Sequence, residues 1–158
     1  MPFPVSISGS IQLQRRGKGA ETLERIGARI EASLKREAAS SIARHGTRIS
    51  FKVAVLFGRV SRWSVLGPMD SGTVEIEDIG PRISVKYCVS TMRNFVVATT
   101  IYGVIVPSIT FFPDRNGDSA VQVMLCLLVV WALTVGGAYF VTANRFPRWL
   151  KRNLERVG

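Results

Sequence analysis

Apolar and polar residues alternate strictly near the start of the chain. Val5, Ile7, Gly9, Ile11 and Leu13 fall on one side, Ser6, Ser8, Ser10, Gln12 and Gln14 on the other, a period of two that predicts a strand with one buried face. The period then changes. Leu23, Ile26, Ile30, Leu34, Ala38 and Ile42 recur every three or four residues, with Glu21 and Arg25, then Glu31 and Lys35, at the i, i+4 spacing of helical ion pairs. This predicts one amphipathic helix over 20–44, stopped by Gly46 and capped by the positive end of His45.

Alternation returns in Ile49, Phe51, Val53, Val55 and Phe57, again around Trp63 and Val65, in Val74 and Ile76, and in Ile83, Val85, Tyr87 and Val89. Gly67-Pro68 and Gly80-Pro81 punctuate these segments as turns. Strands that are apolar on one side only call for a two-layer solution, a mainly antiparallel sheet carrying the long helix on one face.

The pattern changes again beyond residue 94. Two runs, 95–112 and 120–143, contain no charged residue and are separated by seven mostly polar positions, 113–119. About 18 or more apolar residues in helical form cross a hydrocarbon layer of ~30 Å, and a bilayer leaves no partner for a free backbone except the helix itself. The short connection makes the two helices antiparallel neighbours. After them, Phe146, Trp149, Leu150, Leu154 and Val157 form one helical stripe flanked by Arg145, Arg148, Lys151, Arg152 and Arg156, with Pro147 suited to a first turn. The expected organisation is therefore an α+β cytoplasmic domain over 1–93 with element order β-α-β-β-β-β. A two-helix transmembrane hairpin follows over 94–143, with spans 94–112 and 119–143. A basic amphipathic helix over 144–158 then lies on the membrane interface with Trp149 at headgroup depth.

Charge gives this organisation a direction. Of 21 Lys and Arg, 15 precede residue 95, five follow residue 143, and only Arg115 lies between the apolar runs. Basic residues near span ends stay on the cytoplasmic side, so the expected location is an integral, two-span protein of the bacterial inner membrane with both termini cytoplasmic. Residues 1–20 lack the continuous apolar stretch of a cleavable signal, leaving the first span as its own insertion signal. The net charge of +10 then suits anionic lipid of the inner leaflet better than nucleic acid. Cys88 lies before the first run and Cys126 inside the second, and no disulfide is expected between them.

Candidate chemistry is sparse. Arg15, Arg16 and Lys18 surround Gly17 and Gly19 between a strand and a helix, where free N–H groups and the helix dipole hold anions, although neither dinucleotide nor P-loop glycine spacing is complete. The plainer reading is a basic strand-to-helix turn. Asp114, Asn116 and Asp118 copy the start of a calcium-binding loop, but Ser119 and Leu125 stand where its glycine and bidentate glutamate belong. Glu75 and Glu77 share a solvent face and look like a partner-contact patch. Neither a metal nor a cofactor is expected, and no nucleophile stands beside a base.

Inside the apolar runs, Thr99 and Gly103, then Ala132, Gly136 and Gly137, follow the small-residue spacing that lets helices approach closely in lipid, while Pro107 predicts a kink. The architecture points to a non-catalytic accessory or assembly subunit whose partners are lipids and other membrane subunits. The alternative is a membrane-anchored sensor that binds a phosphorylated ligand at Arg15, Arg16 and Lys18 and oligomerises through its spans.

Overall fold

Every strand of the domain lies antiparallel to its neighbours, in the spatial order β1-β5-β4-β3-β2. The computed structural model describes residues 6–14, 19–37, 39–53, 65–110 and 117–155. Its elements are β1 (Ser6–Gln14), α1 (Gly19–Arg36), β2 (Ser41–His45), β3 (Arg48–Lys52), β4 (Ser71–Ile79), β5 (Arg82–Ser90), α2 (Met92–Thr110) and α3 (Gly117–Glu155). The chain is thus α+β, a five-stranded antiparallel sheet with helices, one of them long and apolar.

Register sorts the alternating residues into two faces. Ile7, Val89 and Gly72 lie in one row and Ile11, Val85 and Ile76 in another, all turned toward α1 and the C-terminal part of α3. Ile26, Ile30 and Leu34 of α1 are buried against this face, and Glu21–Arg25 (3.0 Å) and Glu31–Lys35 (2.7 Å) pair on the outer side of the helix. The Lys35 ammonium, hydrogen-bonded to Glu31, holds that carboxyl below its ordinary pKa.

The helix is shorter than its sequence pattern. It ends at Arg36, where the N–H groups of Glu37 and Ala39 close on the carbonyls of Ser33 and Leu34. Ser40 then donates both its N–H (2.9 Å) and its hydroxyl (3.0 Å) to the carbonyl of Lys52, committing the chain to sheet pairing. Ile42 fits a helical stripe and a strand face equally well, and pairing with β3 decides for the strand. His45 consequently closes β2 opposite Arg48 and is exposed; it caps no helix. Gly46, at φ 61°, makes the two-residue turn between them, and Gly80, at φ 65° ahead of Pro81, makes the turn from β4 to β5. Val65 lies in a turn that ends at Pro68, with Leu66 and Met69 fully buried, whereas Val55, Phe57 and Trp63 lie outside the described residues.

Residues 144–155 are not a separate helix but the continuation of α3, which runs through Pro147 without a break. Phe146, Leu150 and Leu154, the stripe expected to enter lipid, are buried in the domain core, and Trp149 packs half-buried beside them. An interior proline costs a helix ~3 kcal/mol or more. Burying three large apolar side chains at about 1.5–3 kcal/mol each outweighs it.

Two glycines shape the seat that receives α3. The ring of Tyr87 lies over Gly9, its partner in register, and the ring of Phe51 lies over Gly72, likewise its partner. A Cβ on Gly72 would come within 2.5 Å of the Phe51 ring. Phe146 stacks on Phe51 (6.3 Å between ring centres), meets Tyr87 edge-on (5.3 Å) and stacks on Trp149 (5.6 Å). These aromatic pairs add roughly 0.5–1.5 kcal/mol each beyond their buried area.

Burial pushes the Tyr87 phenol above its ordinary pKa of 10.0. The folded chain therefore keeps a proton that the unfolded chain releases. The resulting stability is complete below about pH 10 and is lost as pH rises through the folded-state value. Alkaline titration followed by tyrosinate absorbance should show a component that ionises above the ordinary tyrosine range, and Tyr87→Phe should remove it.

Candidate functional site

Among the described residues one helix, α3, is long and apolar enough to cross a membrane; the apolar stretch of α2 with described side chains, Phe95–Val104, is shorter. At about 1.5 Å per residue, the 39 residues of α3 extend about 58 Å, well beyond a ~30 Å hydrocarbon layer. Leu125, Leu128, Leu133 and Phe140 are exposed along its apolar part, as are Val97, Ile101 and Val104 on α2. Exposed apolar area of this extent marks contact with lipid or another protein.

The two helices pack on each other through large residues. The indole Nε1–H of Trp131 donates to the Thr99 hydroxyl at 3.3 Å, and Trp131 meets the ring of Phe95 edge-on at 6.2 Å. Val123, Leu127, Trp131 and Val135, one helical turn apart, are the half-buried positions of α3 here. The small residues expected to make this contact do not. Among the described residues, a Cβ on Gly103, Gly136 or Gly137 would meet nothing within 4 Å, and Ala132 is exposed. Thr99 joins the seam, but through its hydroxyl. Pro107 lies within α2.

At the root of α2, Asp70 ties three strands to the helix. Its N–H donates to the carbonyl of Ser90 (2.8 Å) and its carbonyl accepts from Val53 (2.8 Å). Its carboxylate accepts the N–H of Arg93 in the first helical turn and forms an ion pair with the Arg93 guanidinium at 3.4 Å. Arg93 also donates to the carbonyl of Val53 at 3.3 Å. A carboxylate beside a helix N-terminus satisfies an orphan donor and the helix dipole together. Sequence alone passes over Asp70, whose only signal is its place between the Gly67-Pro68 turn and a strand.

Arg145, Arg148, Lys151 and Arg152 remain exposed on α3 after its apolar stripe turns inward, forming a basic rim on the segment held by the sheet. Arg15, Arg16 and Lys18 lie outside the described residues, as do residues 111–116, which hold most of the calcium-loop likeness. Cys88 and Cys126 are both free and exposed.

The face of the sheet turned away from α1 and α3 is polar and unevenly built. At the end from which α2 departs, register aligns Ser6, Ser90, Ser71, Lys52 and Ser41 in one row and Ser8, Cys88, Thr73, Ser50 and Ala43 in the next. The third row carries long charged side chains, Lys86, Glu75 and Arg48, with Ser10 and His45 at the edges. Glu77, one row further, accepts from Lys86 at 2.6 Å, and this hydrogen bond holds the Lys86 ammonium above its ordinary pKa. The carboxylates Glu75 and Glu77 thus do share this face, opposite basic neighbours.

No protein-family model matches this chain, nor does any curated protein or solved structure.

Proposed function

We propose that this chain is a non-catalytic accessory or assembly subunit of the cytoplasmic membrane, holding a small α+β domain against the bilayer for contact with a larger membrane complex. The observation that carries the reading is the continuity of α3. One helix leads from an exposed apolar stretch into the buried seat formed by Phe51 and Tyr87, so the domain and the apolar helix are one mechanical piece.

In this reading α2 and α3 are two antiparallel spans. The domain and the basic end of α3 lie on the cytoplasmic side, in keeping with the excess of Lys and Arg there and the single Arg115 between the apolar runs. The open glycines Gly103, Gly136 and Gly137 support a further helix packing against this pair, because small residues in lipid favour close backbone approach. Arg145, Arg148, Lys151 and Arg152 would meet anionic headgroups.

Extraction of native membranes in mild detergent, followed by affinity capture of the full chain and mass spectrometry, tests the proposal. A defined set of co-purifying membrane polypeptides is expected. A lone monomer, recovered under conditions that preserve other membrane complexes, rejects it.

A further inference from the structure

The first two rows, short-chained apart from Lys52, leave a hollow of about 360 Å³ in the sheet face turned away from the helices. Its lining includes Ser41, Ser50, Ser71, Thr73 and Ser90, all with hydroxyls, and the Cys88 thiol. Among the described residues, Lys52 is the one cation that lines it, and no carboxylate does. The other cations of this face are matched differently. Lys86 bonds Glu77, Arg48 lies across from Glu75, and Arg82 donates to Gln12, whereas Lys52 lies between Ser41 and Ser71 in register. Most of its exposed lining is apolar, with Ala43, Phe51 and Gly72 contributing, so the hollow sets one ammonium and several hydroxyls into a largely apolar wall, a combination that suits a phosphate ester with its carbon chain attached.

Its position adds a second constraint. Ser90, on its wall, accepts the N–H of Met92 through its hydroxyl at 3.3 Å, and Met92 is the first residue of α2. The hollow thus opens within one helical turn of the apolar stretch that begins at Phe95. With α2 entering the bilayer there, that is the depth of the headgroups.

We propose that this hollow binds the phosphate of an anionic lipid headgroup, with Lys52 as the countercharge and the Ser71, Thr73 and Ser90 hydroxyls as donors. The inference rests on the membrane-anchored reading above. Free phosphate esters share the same chemistry, and the test separates the two sources.

Cys88 is a built-in reporter, since a headgroup seated beside it shields its thiol. The full chain carrying Cys126→Ser, which leaves Cys88 as the sole thiol, is mixed in detergent with phosphatidylcholine, reconstituted, and alkylated with N-ethylmaleimide. Parallel samples contain added phosphatidic acid or added soluble glycerol phosphate. Phosphatidic acid should slow Cys88 alkylation severalfold. Lys52→Gln should raise the phosphatidic acid needed for half-protection by about tenfold, the loss of one charged hydrogen bond. Ser71→Ile, which fills the hollow at constant charge, should abolish protection.

Protection by glycerol phosphate as strong as that by the lipid would transfer the site to a soluble ester and overturn the headgroup assignment. Equal alkylation rates in all three samples, or protection indifferent to Lys52→Gln, would overturn the phosphate site itself. Flotation of the chain with the vesicles reads anchoring separately: a chain that floats with Cys88 unprotected loses this site but keeps its anchor, and one that fails to float loses the anchor.

Discussion

Phe146→Ala should destabilise the α+β domain by about 3–5 kcal/mol, the range for deleting a buried aromatic ring. Phe146 is fully buried, and its ring contacts Phe51, Tyr87 and Trp149. Its removal leaves a void at the one place where α3 is seated on two glycine-backed aromatic rings, and neither ring can follow into the space without leaving its glycine. Urea unfolding of the full chain in micelles, followed by tryptophan fluorescence, measures the change. A midpoint equal to that of the unsubstituted chain would mean that α3 does not hold the sheet. Isolated α2–α3 packing should survive the substitution, because Trp131 and Thr99 lie well along the apolar part of the helices.

Gly72→Val should have the second-largest effect, a loss of about 1–3 kcal/mol from overpacking. The first added carbon already meets the Phe51 ring at 2.5–2.7 Å and a Val89 methyl at 2.8 Å. Phe51 is itself fully packed, so relief requires its ring to tilt, and a tilted ring no longer stacks on Phe146. The two substitutions act on one seat and should therefore be non-additive. A double-mutant cycle with Phe146→Ala should give a coupling of roughly 0.5–3 kcal/mol. Strict additivity in thermal or urea denaturation would show that Gly72 matters only for its own strand.

Period-two alternation identifies β1, β4 and β5 and the side of each that is buried, because one face of each strand meets helices and the other water. It says nothing about which strands are neighbours. Gly9 and Gly72 therefore read as weak strand residues until register places Tyr87 over one and Phe51 over the other. The overlong helix has a related cause. Ile42 satisfies both a period of 3.6 and a period of two, and only the tertiary choice of Ser40 to bond Lys52 settles which applies.

The amphipathic stripe after the second apolar run was legible as a stripe but not as to its partner. Phe146, Leu150 and Leu154 present the same pattern to a bilayer or to a sheet, and the distinction depends on the distant residues that form the seat. The basic residues Arg145, Arg148, Lys151 and Arg152 lie on its exposed side. The small residues of the apolar runs were misread for the converse reason: spacing marks Gly103, Gly136 and Gly137 as able to approach another helix, yet the face that α3 turns to α2 is set by Trp131 and its neighbours.

The unbroken course of α3 makes the molecule behave like a crank. With Phe146, Leu150 and Leu154 locked in the sheet, any roll of the apolar helix about its long axis swings the whole sheet through the same angle, and any torque on the sheet is returned to the helix. No swivel separates them. A neighbouring subunit that gripped the glycine face near Gly136 and Gly137 would thereby set the compass bearing of the serine-lined sheet surface, without touching it.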